Sequence, residues 1–235
     1  MKDKVKETFD QLAIVYENTV DTTSLYNSEY ERPSMLEQLP LDLSNLNVLD
    51  AGCAAGWYTD QLLQRGAKVV ATDLSQEMVE ATKRRVEEKA TVICLDLEEK
   101  LPFENNTFDL IISSLTLHYI KDWNNTFSEF KRILKPNGLF LFSIHHPFTD
   151  VQLLEDANYF TTELIIDEWK KEGKSFKVPF YRRPLQSIIN ETVNYFSIEE
   201  VIEPVPTMGF KEQAPEKYER LMKSPQFLII KACIR

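Results

Sequence analysis

Mainly apolar runs alternate with polar or amphipathic segments through the middle of the chain. Between residues 46 and 144 the apolar runs are LNVLDAG, AKVVATD, ATVICLD, FDLIISS and GLFLFSI. Such near-continuous runs are typical of strands that are buried on both faces of a parallel sheet. Strands that alternate with helical segments predict an α/β fold with crossover helices.

Two of the segments between these runs predict helices. Ser75 is a good N-cap residue, and apolar positions recur at helical spacing in the segment QEMVEATKRRV that follows it. A second apolar set with helical spacing extends from Trp123 to Leu134. Pro136 and Gly138 come directly afterwards and are expected to end that helix.

The flanking segments depart from this alternation. Residues 1–45 join a helical stretch to a tyrosine-rich passage and predict an N-terminal cap. In residues 147–186 the runs YFTTELIIDEWKK and SFKVPFYRRP flank EGK, which predicts a hairpin-like lid insertion after the fifth strand. Residues 187–235 return to a helix and two strands. We therefore expect a single domain over 1–235, with its core at 46–146.

Composition and charge narrow the class of protein. A hydrophobic fraction of 43% and a charged fraction of 27% are typical of a globular chain. The net charge of -10 disfavours a nucleic-acid partner, which would need clustered Lys and Arg. No apolar stretch approaches the roughly 20 residues of a membrane helix, and the N-terminus lacks signal-peptide features. We expect a cytoplasmic monomer or homodimer with no nucleic-acid or membrane partner.

Cysteine and histidine spacing gives no indication of a metal site. Cys53, Cys94 and Cys233 are widely spaced and form no CxxC pair. His145 and His146 are adjacent, but no carboxylate is placed beside them to complete a set of metal ligands. We therefore expect neither a disulfide framework nor a bound metal.

The turn LDAGCAAGW follows the first predicted strand, where an open α/β sheet binds ligands. Gly52 and Gly56 allow a sharp turn and a close approach of backbone to ligand. Asp73 matches the acidic residue of a dinucleotide site, but the glycines are four apart instead of following GxGxxG. Asp50 would repel a pyrophosphate, whereas a cofactor with an ammonium and a sulfonium group would favour it. The alternative is that Asp50 and Asp73 only cap helices.

Two long segments carry a specific set of linked motifs. They are VLDAGCAAGWYTDQLLQRGAKVVATDLSQEMVEATKRR and LPFENNTFDLIISSLTLHYIKDWNNTFSEFKRILKPNGLFLFSIHHP. In this central region the chain resembles the class I S-adenosylmethionine-dependent methyltransferases of the small-molecule type. The resemblance implies a Rossmann-like, seven-stranded, mostly parallel sheet with helices on both faces. It also implies S-adenosylmethionine as the cofactor and S-adenosylhomocysteine as the product.

The resemblance also implies roles for individual residues around the cofactor. It gives a loop under the methionine part, contacts to the ribose and adenine, and one residue near the reactive methyl. The loop under the methionine part would be formed by Asp50, Gly52, Cys53 and Gly56. Asp73 would bind the ribose hydroxyls, and the residues implied around the adenine are Leu74, Met78, Asp96 and Leu97. Ser113 is the residue implied near the reactive methyl. Ala54 replaces the commoner glycine, which matters only if its φ is positive or its methyl touches ligand.

Other candidates lie outside these motifs. Tyr16 and Arg32 are expected to close over the cofactor, with Arg32 on its carboxylate, although Tyr16 is equally suited to packing within the cap. His118, His145 and His146 follow the fourth and fifth strands and are candidate general bases, because histidine accepts a proton near pH 7. Structural roles are the alternative, and one of the adjacent pair is expected to point elsewhere.

Tyr181, Arg182 and Arg183 end the predicted hairpin. Guanidinium groups bind carboxylates and phosphates in a bidentate manner, so the two arginines suggest an anionic acceptor. Ion pairing at the hairpin end is the alternative. The resemblance implies methyl transfer to an oxygen or nitrogen atom of a small molecule by in-line displacement. A non-catalytic cofactor binder and an NAD-dependent oxidoreductase are the competing functions.

Overall fold

A seven-stranded sheet forms the centre of the protein in a computed structural model, which describes residues 1–20, 23–171 and 173–234. A separate two-stranded hairpin follows the fifth strand. The strands are β1 (Asn47–Ala51), β2 (Lys68–Asp73), β3 (Thr91–Cys94), β4 (Phe108–Ser114), β5 (Leu134–His145), β6 (Glu163–Lys171), β7 (Lys174–Arg182), β8 (Ser197–Ile202) and β9 (Phe227–Cys233).

The large sheet has the order β3-β2-β1-β4-β5-β9-β8. Strands β1 to β5 pair in parallel, and β9 is antiparallel to both β5 and β8. The predicted Rossmann-like, mostly parallel sheet is therefore confirmed. The strand order reverses between β1 and β4, where Asp50 is in register with Ile112. An open α/β sheet binds its ligands at such a reversal point.

The helices are short and lie mainly between strands. They are α1 (Lys2–Val15), α2 (Arg32–Glu37), α3 (Trp57–Gln64), α4 (Gln76–Val86), α5 (Asn124–Ile133), α6 (Pro147–Val151), α7 (Leu185–Tyr195), α8 (Met208–Gln213) and α9 (Pro215–Leu221). Ser75 caps α4 as predicted, since its hydroxyl accepts the Met78 N–H at 3.2 Å. None of the described helices is long and apolar enough to span a membrane.

Alternate residues of the central strands supply two cores, one on each face of the sheet. In β1, Leu49 packs on the side of Phe127 and Phe130 from α5, whereas Val48 packs on the side of Leu62 from α3 and Met35 from α2. Successive side chains of a strand point to opposite faces, so a fully apolar run serves both cores. This arrangement explains why the five runs are continuous instead of alternating.

The hairpin and the N-terminal helix pack against each other. Strands β6 and β7 pair antiparallel, as the sequence predicted, with Glu163 opposite Arg182. Phe176 and Val178 of the hairpin join Leu12 of α1 in one buried cluster. The sequence did not predict α8 and α9, which are only six and seven residues long. Their Phe210 and Leu221 pack in a cluster with Tyr30.

Candidate functional site

A cavity of about 760 Å³ lies where the sheet, α1 and the hairpin meet. Its lining includes residues that follow β1, β2, β3 and β4, together with residues of α1, β6 and β7. Pockets for small molecules and cofactors range from roughly 300 to 1,000 Å³. The cavity is therefore large enough for a nucleoside cofactor at the strand ends and a small second ligand beside it.

The turn after β1 depends on both of its glycines. Gly52 has a φ of +88° and Gly56 a φ of +79°, in the region that L-residues rarely adopt. The N–H of Gly52 donates to the Thr72 carbonyl of β2 at 2.8 Å. A Cβ atom on Gly52 would lie 2.2 Å from Thr116 Oγ1, and one on Gly56 would lie 2.8 Å from Thr82 Cγ2. The backbone thus approaches its neighbours too closely for any side chain at either position.

Ala54 lies in the same turn with a φ of +48°, and it lines the cavity. Its positive φ means that alanine and glycine are not equivalent at this position. A left-handed backbone costs an L-residue about 1–2 kcal/mol. The turn retains this conformation because the Ala54 N–H donates to Asp73 Oδ2 at 3.0 Å and its carbonyl accepts the Thr82 hydroxyl at 2.7 Å.

The substitution Ala54→Gly is expected to stabilise the protein. Relief of the left-handed strain outweighs the extra entropy of glycine in the unfolded chain by about 1 kcal/mol, or about 2–4 °C in Tm. Ala55→Gly is the matched control, since Ala55 is buried and its φ is not positive. Thermal unfolding should show a higher Tm for the first variant and a lower Tm for the second. Equal losses of Tm would contradict the strain at Ala54.

Asp73 ends β2 and lines the cavity. One of its oxygens accepts the Ala54 N–H, and the other accepts the Ser75 N–H at 2.9 Å. A carboxylate has about four lone-pair sites, so two acceptor positions remain for hydroxyl groups of a ligand. Burial raises the pKa of Asp73 to about 6, although its backbone donors oppose that rise. Asp73 is ionised at neutral pH and suited to the hydroxyls of a ribose.

The residues expected around the adenine are divided between the cavity and the core. Leu74 and Leu97 line the cavity as apolar side chains. Asp96 also lines it, but its carboxylate already contacts Lys2 of α1 and accepts the Glu98 N–H at 2.8 Å. Met78 is fully buried with Ala55 and Ala81 and supports the cavity wall from behind.

Asp50 has a position different from the one expected. Its side chain is 1% exposed, and its carboxylate accepts the Thr59 hydroxyl at 2.6 Å in the first turn of α3. It is absent from the cavity lining, and its carboxylate faces the start of α3 instead. Burial raises the pKa of Asp50 to about 7, and the negative charge of Asp73 adds to the rise.

The burial of Asp50 predicts a pH-dependent gain from Asp50→Asn. Below pH 3.8 the carboxyl is protonated in both the folded and unfolded states, so it makes no difference to stability. The folded protein binds the proton more tightly, so stability falls as the pH rises from 3.8 to 7 and is level above 7. At pH 8 the asparagine variant is expected to be more stable by about 1–3 kcal/mol, and at pH 5 the gain shrinks.

Urea unfolding at pH 5 and pH 8 measures this difference. Asp156→Asn is the control, because Asp156 is exposed and its substitution should give the same small change at both values. A difference between Asp50→Asn and the natural protein that does not grow with pH would show that the buried carboxylate has no cost.

Ser113 does not lie near the cavity. It is fully buried, and its hydroxyl donates to the Ala51 carbonyl at 2.8 Å, which ties β4 to β1. Ser114 lines the cavity instead. Successive residues of a strand point to opposite faces, so a shift of one residue exchanges the two environments. Ser114, and not Ser113, is therefore the residue at this end of β4 that lines the cavity.

Tyr16, Arg32 and Cys53 all line the cavity, as expected. The Arg32 guanidinium lies 4.1 Å from the centroid of the Trp57 ring, and the residue is 6% exposed. Burial raises the pKa of Tyr16 to about 12, so its hydroxyl stays protonated. The N-terminal cap thus contributes one fixed cation and one neutral hydroxyl to the cavity.

Glu31 is a residue of this region that the sequence did not reveal. It is 1% exposed, and its carboxylate accepts hydrogen bonds from the hydroxyls of Tyr58 at 2.8 Å, Ser114 at 2.8 Å and Ser143. Burial raises the pKa of Glu31, and the three donors oppose the rise. Glu31 connects the cap to α3, β4 and β5. A carboxylate beside Arg32 in an irregular segment carried no periodic signal of this role.

The three histidines differ in their surroundings. His145 lines the cavity, and its Nδ1 lies 3.5 Å from Asp150 Oδ1. The His118 ring is buried and stacks on His145 with 4.1 Å between centroids. Burial keeps the pKa of His118 well below its usual value, so His118 is a neutral support. His145 is therefore the histidine that can meet a ligand.

Of the two adjacent histidines, His146 is the one that does not line the cavity. His146 lies outside the cavity lining and caps α6, with its Nδ1 accepting the Phe148 N–H at 3.1 Å. Its Nε2 lies 2.9 Å from Glu203 Oε1. Both ring nitrogens are engaged, because the strand alternation turns the second of the two histidines away from the cavity.

The two arginines are also structural. Arg182 is fully buried, pairs with Glu163 and donates to three backbone carbonyls between residues 158 and 161. Arg183 donates to the Ile120 carbonyl at 2.7 Å and lies 4.0 Å from the centroid of Trp123. Neither lines the cavity, whereas Tyr181 does. The argument for an anionic acceptor therefore loses its basis.

The donor set of the cavity fits S-adenosylmethionine. Asp73 has free acceptor sites for ribose hydroxyls, Leu74 and Leu97 provide apolar walls for a base, and Arg32 supplies a cation for a carboxylate. The glycine turn leaves the backbone of Cys53 in the same cavity lining. No group of His, Cys, Asp and Glu that is able to hold a metal ion occurs in the described ranges of the chain.

Comparison with known proteins agrees with this fold. The methyltransferase domain family matches residues 49–142. A putative S-adenosylmethionine-dependent methyltransferase from Listeria monocytogenes superposes with a TM-score of 0.74 at 27% identity, covering 87% of this chain and 96% of that one. An uncharacterized protein of Haemophilus influenzae is 30% identical over 225 residues, or 88% of this chain and 87% of the relative.

A shorter match concerns an enzyme of named activity. A malonyl-[acyl-carrier protein] O-methyltransferase of Buchnera aphidicola is 36% identical over 99 residues, which are 42% of this chain. The chain spans only 39% of that relative's length. Fold and site together define a methyltransferase with a Rossmann-like sheet. The chain belongs to the class I S-adenosylmethionine-dependent methyltransferases, and S-adenosylmethionine is its cofactor.

Proposed function

We propose that this enzyme methylates an oxygen or nitrogen atom of a small molecule and that His145 accepts the proton of that nucleophile. The observation that carries the proposal is that His145 and the cofactor residues line one cavity. A histidine oriented by a carboxylate is a common arrangement for a general base. Asp150, which is 4% exposed, takes that position beside His145.

The cofactor supplies a methyl group whose bond to a sulfonium breaks with the electron pair remaining on sulfur. Asp73, the two leucines and Arg32 would hold it, as their chemistry and placement allow. The chain then has to orient the acceptor, exclude water and remove a proton. In-line displacement gains much of its rate from holding the reacting groups in position.

The walls of the second half of the cavity support a small acceptor. Trp169, Phe180 and Tyr181 of the hairpin line it from one side, and Tyr119 and His145 line it from the sheet side. The hairpin packs on α1, and both contribute side chains to the cavity lining. This arrangement favours a molecule that enters the cavity as a whole over a nucleic acid or protein that presents one extended segment.

Incubation with methyl-labelled S-adenosylmethionine and a metabolite extract tests the proposal. Label is expected in the small-molecule fraction and absent from the protein and nucleic-acid fractions. Stabilisation by S-adenosylhomocysteine in a thermal shift measures cofactor binding separately. Binding without labelled product would favour a non-catalytic binder, and label in a macromolecular fraction would contradict the acceptor class.

A further inference from the structure

The cavity has an acidic character beside His145. Asp150 and Asp167 both line this half. The Asp167 carboxylate accepts the indole N–H of Trp169 at 2.9 Å and the Glu168 backbone N–H at 2.8 Å. Two donors from the same strand therefore hold the carboxylate in one orientation. A fixed carboxylate costs less side-chain entropy when it pairs with a ligand.

Basic side chains occur elsewhere in the lining. The hairpin arginines, Arg182 and Arg183, are engaged outside the cavity. Among the described residues that line it, the basic ones belong to α1, to the start of α2 and to the segment after Tyr119. They are Lys2, Lys6, Arg32 and Lys121. Lys2 contacts Asp96, and the Lys6 ammonium lies 2.7 Å from the Asp10 carboxylate. Arg32 lies over the Trp57 ring, and Lys121 is exposed. An anionic acceptor would meet no basic residue on the hairpin wall.

Aromatic rings complete the walls around these carboxylates. Phe180 contacts His145 edge-on with 4.8 Å between centroids, and Phe9 contacts Tyr119 edge-on at 5.0 Å. Aromatic faces attract cations, and the attraction grows when the site is shielded from water. Burial raises the pKa of Tyr119 well above its usual value, and Asp167, Asp150 and Asp73 add to that rise. Their combined field around Tyr119 is negative.

We propose that the acceptor carries a positively charged amine on an aromatic or apolar group, with Asp167 and Asp150 as its counterions and Trp169 as its aromatic wall. This inference rests on the proposed function, because it names the charge class of the molecule that the enzyme methylates. It replaces the anionic acceptor that the adjacent arginines suggested from sequence.

Three probes of matched shape test the charge preference. Calorimetry at pH 7.5 with saturating S-adenosylhomocysteine would compare 2-phenylethylamine, 2-phenylethanol and 3-phenylpropanoate. The amine is expected to bind at least 10-fold more tightly than the alcohol, and the acid is expected to bind most weakly. An acid that binds as tightly as the amine, or an amine that shows no saturable binding, would overturn the proposal.

Two variants assign the preference to the cavity. Asp167→Asn keeps an oxygen for the Trp169 indole, and it is expected to weaken amine binding at least 5-fold while leaving alcohol binding unchanged. Glu168→Gln removes the same charge from the next residue, which is exposed and does not line the cavity, and it should change neither affinity. Equal effects of the two variants would show that only the overall negative charge of the protein attracts the amine.

Labelled products from the extract separate failure of this inference from failure of the proposed function. Retention of label on a cation exchanger at pH 7 is expected for a charged amine. Label in an acidic small molecule would overturn the charge class but leave small-molecule methylation intact. Amine binding without any labelled product would leave the charge preference in place and contradict the catalytic proposal.

Discussion

Replacing Gly52 with alanine is expected to lower the free energy of unfolding by about 3 kcal/mol and to weaken cofactor binding at least 10-fold. The new Cβ would lie 2.2 Å from Thr116 Oγ1. Thr116 cannot simply rotate away, because its hydroxyl donates to the Ser114 carbonyl at 2.9 Å. The turn must therefore move, and with it the backbone of Cys53 and Ala54 that lines the cavity.

Gly173→Ala is the matched control for this prediction. Gly173 has a φ of +74°, but an added Cβ would meet nothing within 4 Å. It should show only the backbone cost of about 1 kcal/mol, and cofactor affinity should not change. Thermal unfolding and calorimetry with S-adenosylhomocysteine measure the two effects. Similar results for both variants would show that the close approach to Thr116 is unimportant.

His145→Asn is expected to lower kcat by a factor of about 10²–10⁴ while cofactor affinity remains within 2- to 3-fold. Asparagine keeps a polar side chain near Asp150 but does not accept a proton near neutral pH. The effect should fall on kcat, because His145 lies at the end of β5 beside Asp150, whereas Asp73 lies at the end of β2. Steady-state kinetics with the acceptor found in the extract would measure kcat and KM separately.

His146→Asn is the matched control for this prediction. Asparagine is a good N-cap residue, so it preserves the start of α6 that His146 now caps. Turnover should stay within about 3-fold of the natural enzyme, because His146 does not line the cavity and the start of α6 is preserved. If His146→Asn lost turnover and His145→Asn did not, the assignment of the base would be reversed.

The central sheet was predictable from the sequence because its signals are local. Each of the five apolar runs became a strand, and Ser75 caps α4 as expected, whereas α5 ends at Ile133 and both Pro136 and Gly138 lie within β5. The hairpin was also evident, since two strand-like runs flank a short polar turn. The short helices α8 and α9 were not found, because six or seven residues give too little periodicity.

The cofactor half of the site was also largely evident from the sequence. Gly52, Gly56 and Asp73 lie at strand ends or in the turn between them, and a parallel sheet brings all such ends to one edge. Their residue types then restrict what they do. The glycines permit positive φ values, and Asp73 offers free acceptor positions. Leu74 and Leu97, which the resemblance placed near the adenine, follow β2 and β3 and line the same cavity.

The direction of each side chain was decided only by the tertiary structure. A strand alternates its faces at every residue, so neighbours such as His145 and His146, or Ser113 and Ser114, differ in role although their sequence contexts are almost identical. Arg182 became a buried anchor because the chain around residues 158–161 folds back onto it.

By itself, the sequence determined the class of fold, the glycine turn and the acidic residue at the end of β2, because these depend on residue type and spacing along the chain. Only the tertiary structure decided which histidine faces the cavity and that the carboxylates of Asp150 and Asp167 line the same cavity. Those features depend on contacts between residues far apart in sequence, such as Glu31 with Ser143 or Arg183 with Ile120. Such contacts form only when the cap, sheet and hairpin pack together.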